Sequence, residues 1–149
     1  MRQETITLTY LKFNELNDDQ KKKVLDNNRD INVDHDWYEN TIEFYTEKLK
    51  TLGFYDIKIE FSGFGSQGDG ASFTAKHRRG DVIRSNNRHS HSNSITSDVE
   101  YIKLLARRIS NKLYKDLGKE HDYLLSDEAV IETLEANDYE FNSNTLEIG

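Results

Sequence analysis

The chain contains no cysteine. Disulfide staples, zinc–thiolate sites and thiol nucleophiles are therefore excluded, and the composition suits a reducing compartment. Long apolar runs are missing too. No window approaches the roughly 18 apolar residues that a membrane-spanning helix needs. The opening residues, Met1-Arg2-Gln3-Glu4-Thr5, hold no apolar segment of the secretory type, so no signal peptide is expected. Nothing repeats at solenoid periods. What is present is 149 residues. A chain of that size buries roughly 70% of the surface its unfolded form exposes and needs no staples. The expectation is one domain over residues 1–149, acting in the cytoplasm.

The formal net charge is −7, and its distribution matters more than its sum. Between Lys76 and Lys115 basic residues outnumber acidic ones. From Glu120 to Glu147 there is no lysine or arginine, while Glu120, Asp122, Asp127, Glu128, Glu132, Glu135, Asp138, Glu140 and Glu147 follow one another. The plain reading is a solubilising surface. The sharper one is an acidic face, with Glu132, Glu135 and Asp138 in it, for a basic or nucleic-acid-binding partner protein. Direct binding of duplex DNA is disfavoured, because phosphate repels such a face.

Periodicity predicts the elements. Thr5 to Phe13 alternates as a half-buried strand, with Ile6, Leu8 and Tyr10 on one side. A polar stretch to Asp34 holds a short helix over Lys21–Asn28. Asp34 or Asp36 is placed to cap a helix carrying Tyr38, Thr41, Ile42, Tyr45, Leu49 and Leu52, with Gly53 at its C′ position. Tyr55, Ile57, Ile59 and Phe61 then alternate as a strand, and Ala71–His77 forms a second. Arg79-Gly80-Asp81 reads as a turn, Val82-Ile83 as a short third strand, and residues 85–94 as a loop. Ser97 with Glu100 makes a capping box before an apolar stripe of Val99, Ile102, Leu105, Ala106, Ile109, Leu113 and Leu117, which Gly118 ends. Ser126-Asp127-Glu128 opens a last helix with Val130, Ile131 and Leu134 inward, and Tyr139–Ile148 is an edge strand. Strands joined by hairpins and followed by helices predict an α+β fold. The sheet is small and antiparallel, of three to four strands, with three helices packed on one face. Tyr55, Ile57, Ile59 and Phe61 share its core with Leu105, Ile109 and Leu113.

Four of the eight glycines fall in Ser62-Gly63-Phe64-Gly65-Ser66-Gln67-Gly68-Asp69-Gly70. Gly63, Gly65 and Gly68 fit the spacing of a dinucleotide fingerprint, but in such a site the last glycine opens a helix. Ala71-Ser72-Phe73-Thr74 reads as strand instead. A kinase-type glycine loop lacks its catalytic Asp-Asn loop and metal-binding D-F-G downstream. A wide hairpin turn is the plain reading. Ser62, Gly63, Phe64, Ser66, Gln67 and Asp69 are its candidate binding residues, since uncovered backbone N–H groups there can hold an anion or a peptide backbone.

His89 and His91 are the candidates for chemistry. A His-x-His pair can serve acid–base catalysis or ligate a metal. A metal would need Asp69 or Asp98 to approach, and the two abutting His-x-x units do not match a two-histidine phosphoesterase cleanly. No metal or cofactor is implied. Arg78, Arg79, Arg84 and Arg88 read as phosphate holders or as a solvated face. Trp37 reads as a core anchor and His35 as an exposed residue near a helix cap.

Three stretches carry a resemblance: Asn32 to Tyr38 (NVDHDWY), Phe61 to Phe73 (FSGFGSQGDGASF) and Leu124 to Phe141 (LLSDEAVIETLEANDYEF). In this order they are similar to a family of small tailed-bacteriophage proteins that carries the name "antitoxin of toxin–antitoxin stability system". The family has a second aromatic where Gly65 stands here, and a longer middle region than Lys76–Asp98. The resemblance implies a phage product in the cytoplasm of a bacterial host, acting on a host factor. Two functions follow. One is an inhibitor of a defence nuclease (anti-CRISPR-like) or of a toxin, working by binding. The other is a small enzyme or ligand-binding protein for a nucleotide or nucleic acid, using the glycine-rich hairpin and the His89/His91 loop.

Overall fold

The computed structural model describes residues 2–64, 69–85 and 95–149. Helices and antiparallel strands are both present, so the fold is α+β. Contacts divide the chain into two compact units, Met1–Trp37 with His121–Gly149, and Tyr38–Glu120.

In the first unit, β1 (Tyr10–Lys12) pairs antiparallel with β4 (Glu140–Asn142), Leu11 facing Phe141. The strand predicted over Thr5–Phe13 is only these three residues long. Its partner is equally short, and upstream Ile6 and Leu8 are 80% and 58% exposed. Helix α1 (Asp18–Asn27) begins earlier than predicted, because Asn17 caps it. The Gln20 N–H donates to Asn17 Oδ1 at 2.8 Å, and the Asn17 N–H donates to Gln20 Oε1 at 3.0 Å. Helix α5 (Asp127–Ala136) starts where predicted, and Ser126 caps it, its hydroxyl accepting from the Ala129 N–H at 3.2 Å. Phe13, Leu16, Val24, Leu25, Val130, Leu134, Phe141 and Leu146 make one core. Arg29 closes its rim, donating to Asp127 at 2.6 Å, to the Leu125 carbonyl at 3.0 Å and to Asp26 at 3.0 Å.

The second unit holds α2 (Glu39–Thr51), β2 (Phe54–Phe61), β3 (Ala71–His77), α3 (Arg79–Ser85) and residues 95–120 of α4 (Ile95–Leu124). Among the described residues the four strands form two two-stranded sheets instead of one larger sheet. Tyr38 stands at the N-cap of α2 without a side-chain bond, and Asp34 lies beside His35 at 3.0 Å. His35 is exposed.

Strand β2 breaks the simple alternation. Between Tyr55↔Lys76 and Lys58↔Thr74 it advances three residues while β3 advances two, and Asp56 takes a φ of +52°. One inserted residue reverses the facing of everything beyond it. Phe54 is therefore buried on the same side as Ile57, Ile59 and Phe61, and Tyr55 is exposed. The expectation that Tyr55 joins the core is corrected by this bulge. Ile109 and Leu113 are buried as expected, and Leu105 is half-buried.

Val82 and Ile83 lie in helix α3, not in a third strand. Both are buried, at 0% and 3% exposure. Consecutive strand residues face opposite sides, whereas a helix lets neighbours share one. Helix α4 starts at Ile95, ahead of the predicted capping box, and runs through Gly118 to Leu124. Ile102, Ile109, Leu113 and Leu117 of its stripe are buried, but Val99 is exposed.

Two contacts hold the second unit in register. The Thr41 hydroxyl donates to Glu120 and the buried Tyr45 hydroxyl to Asp116, one turn apart on each helix, so α2 and α4 run antiparallel. At the C-terminus of α2, Gly53 has a φ of +99°, and a Cβ there would stand 2.8 Å from Val82 N. Both the left-handed backbone and the approach of α3 demand glycine. Gly53→Ala is expected to cost at least about 2 kcal/mol in chemical denaturation.

Burial and Asp116 both raise the Tyr45 phenol above its ordinary value of 10.0. A phenol whose folded value is raised contributes stability that is complete below pH 10 and declines above it, because the unfolded chain ionises first. The urea midpoint of the native protein is expected to fall more steeply between pH 9 and 11 than that of Tyr45→Phe. The variant is expected to be less stable at neutral pH by about 1 kcal/mol or more, since it leaves Asp116 without this donor.

Candidate functional site

The glycine-rich segment joins β2 to β3 as a hairpin, and no helix starts in it among the described residues. Its neck is closed at Ser62. The Ser62 N–H donates to the Gly70 carbonyl at 3.0 Å, and the Gly70 N–H donates back to Ser62 Oγ at 3.1 Å. The Asp69 carboxylate lies over Gly63, where a Cβ would stand 2.9 Å from Oδ2. Beside this neck, Glu60, Phe61, Ser62, Gly70, Ala71 and Ser72 line an open depression of about 390 Å³. Ser66 and Gln67, between these flanks, lie outside the described residues.

An aromatic row fixes the neck to the helices of its unit. Tyr38 meets Phe61 edge-on at 4.9 Å, Phe61 stacks on Phe64 at 5.9 Å, and Phe64 stacks on Tyr114 of α4 at 5.5 Å. Phe64 is half-buried. A Cβ on Gly118 would lie 3.5 Å from Phe64 Cδ1, so the glycine leaves room for this ring. Gly118 thus serves packing inside α4 and not its termination. The sequence reading missed Tyr38 and Tyr114 as hairpin supports, because their partners are remote in the chain.

The acidic candidates belong to the first unit and the hairpin candidates to the second. On α5, Glu128, Glu132 and Glu135 are exposed and follow i, i+4, i+7 spacing, which places them on one face. Glu132 foremost, then partial burial and Glu128, raise the Tyr123 phenol above its ordinary value. Asp138 is exposed just past the helix, with a φ of +51°. Glu135 and Asp138 also line a depression of about 260 Å³ beside Lys12, Asn14 and Tyr139.

His89, His91 and Arg88 lie outside the described residues, as do the side chains of Arg79 and Arg84. Asp98, considered as their companion, is buried at 2% exposure. Among the described residues no three His, Asp or Glu side chains gather as a metal site. Trp37 is half-buried, with its ring 5.3 Å from that of His121.

A domain of unknown function, DUF8835, matches residues 37–91. The match begins at the edge of the second unit and spans α2, the β2–β3 hairpin and α3, continuing through His89 and His91. Helix α5 and its acidic face lie outside it. No curated protein and no solved structure matches the chain.

Gly118 offers a direct check of the aromatic row. Gly118→Ala meets Phe64 at ordinary contact distance and gains helix propensity, so it is expected to stabilise by about 0.5–1 kcal/mol. Gly118→Leu is expected to displace Phe64 and destabilise. Thermal melts of the two variants decide.

Proposed function

We propose that this is a phage-encoded protein that acts by stoichiometric binding, inhibiting a host factor such as a defence nuclease or a toxin. The observation that carries the reading is the acidic face of α5. Glu128 and Glu132, one turn apart, repel each other by a few tenths of a kcal/mol. With Glu135 and Asp138 they lie in a stretch that contains no lysine or arginine from residue 120 to 147. A predominantly anionic ridge of this kind complements a basic protein surface and accelerates encounter with it. The resemblance to small tailed-phage proteins supports the same reading and implies action in the bacterial cytoplasm. Among the described residues no helix is long and apolar enough to cross a membrane. The glycine-rich segment, carried on a neck braced by Phe61 and Phe64, offers a second contact through Ser62, Gly63 and Asp69, with Ser66 and Gln67 as further candidates from the sequence.

The second reading is an enzyme or ligand-binding protein acting on a nucleotide or nucleic acid, which would use the glycine-rich hairpin and the His89/His91 loop, both within the residues 37–91 that DUF8835 matches. Titration against a target captured from the bacterial host separates the two. Binding predicts inhibition that saturates near equimolar protein. It also predicts that joint charge reversal at Glu132, Glu135 and Asp138 slows association severalfold and weakens its salt dependence, with the fold intact. Multiple turnovers that vanish in His91→Ala, with the acidic change nearly silent, would establish the enzyme instead.

A further inference from the structure

The outer face of α4 has the opposite character. Between Lys103 and Lys119 the helix carries six cationic residues, Lys103, Arg107, Arg108, Lys112, Lys115 and Lys119, against a single carboxylate, Asp116. Arg108, Lys112, Lys115 and Lys119 are all exposed. Their spacing of four, three and four residues sets them in one stripe, which runs along about 16 Å of the helix. The outer face of an amphipathic helix ordinarily mixes both signs. Here the carboxylates that would neutralise the stripe are drawn inward, Asp116 by the Tyr45 hydroxyl and Glu120 by the Thr41 hydroxyl.

The stripe also has relief. Asn111, Lys112, Tyr114, Lys115, Asp116 and Lys119 line an open depression of about 750 Å³. One face of the Tyr114 ring is held against Phe64, which fixes the ring's orientation. Three ammonium groups outnumber the one lining carboxylate, Asp116, which already accepts from the Tyr45 hydroxyl. With the oriented aromatic ring and an exposed carboxamide they match the needs of single-stranded nucleic acid: cations for the backbone, a ring on which a base stacks and an amide for its edge.

We propose that this face of α4 binds the phosphate backbone of single-stranded nucleic acid, with a base against Tyr114. An acidic peptide would use the same cations but has no use for the ring. A duplex presents its bases already stacked and leaves none to lie against the ring. The site is independent of the acidic face of α5 and of the function proposed from it.

The test is fluorescence anisotropy with a labelled single-stranded oligonucleotide of mixed sequence and the full chain. Four phosphate contacts predict a log–log salt slope of about −2.8, falling to about −0.7 in the triple variant Lys112→Gln, Lys115→Gln, Lys119→Gln, with affinity lowered tenfold or more. Tyr114→Leu is expected to weaken binding by about tenfold and to leave the slope unchanged. Circular dichroism confirms that each variant is folded. No binding at low salt, equal affinity for duplex, competition by polyglutamate as effective as by unlabelled oligonucleotide, or an unaffected Tyr114→Leu would each overturn the proposal.

Discussion

Tyr45 sits on the inner side of α2, almost wholly removed from solvent, with a hydroxyl that needs an acceptor. Asp116 supplies it. One helical turn away Thr41 and Glu120 repeat the arrangement, which fixes the register of two antiparallel helices. Leu49, one turn beyond Tyr45, and Leu113 and Leu117 of α4 are buried in the same unit. The consequence reaches the surface. A carboxylate committed to a buried phenol is unavailable to a lysine on the next turn. The inner polar contacts and the cationic outer stripe of α4 are therefore one arrangement seen from two sides.

The elements most legible in the sequence were those whose signals are local. Ser126 and Gly53 mark helix ends through their own chemistry, and both do so in the structure. The β2–β3 pairing followed from alternation on both sides of a glycine-rich turn. What failed depended on partners. Thr5–Thr9 alternates well but meets no equally long strand. Tyr55 keeps the right parity for a core residue until the extra residue at Asp56 reverses it, and a bulge leaves no mark in alternation alone. Gly118 looks like a helix stop, yet a glycine inside a well-packed helix costs only about 1 kcal/mol, and Phe64 fills the space it leaves.

The candidate site was legible in composition more than in geometry. Four glycines within nine residues identify the hairpin tip, and an unbroken acidic series identifies α5. That Phe61 and Phe64 serve as braces for the hairpin needed Tyr38 and Tyr114, which lie 23 residues before Phe61 and 50 after Phe64. The cationic stripe was visible as a basic excess, but its gathering on one exposed face needed the helix and the inward turn of Asp116 and Glu120.

The first unit is assembled from residues on both sides of the second: β1 and α1 come early in the chain, α5 and β4 late. Synthesis delivers them in that order. Phe13, Leu16, Val24 and Leu25 leave the ribosome long before Val130, Leu134, Phe141 and Leu146, the other half of the same core. Residues 38–120 are continuous and can complete their own contacts in between. Folding of the second unit shortens the loop that the first must close, lowering the entropy lost when the late segment arrives. Until then the early half has only apolar side chains without partners and a polar, well-capped helix α1 to keep them in solution.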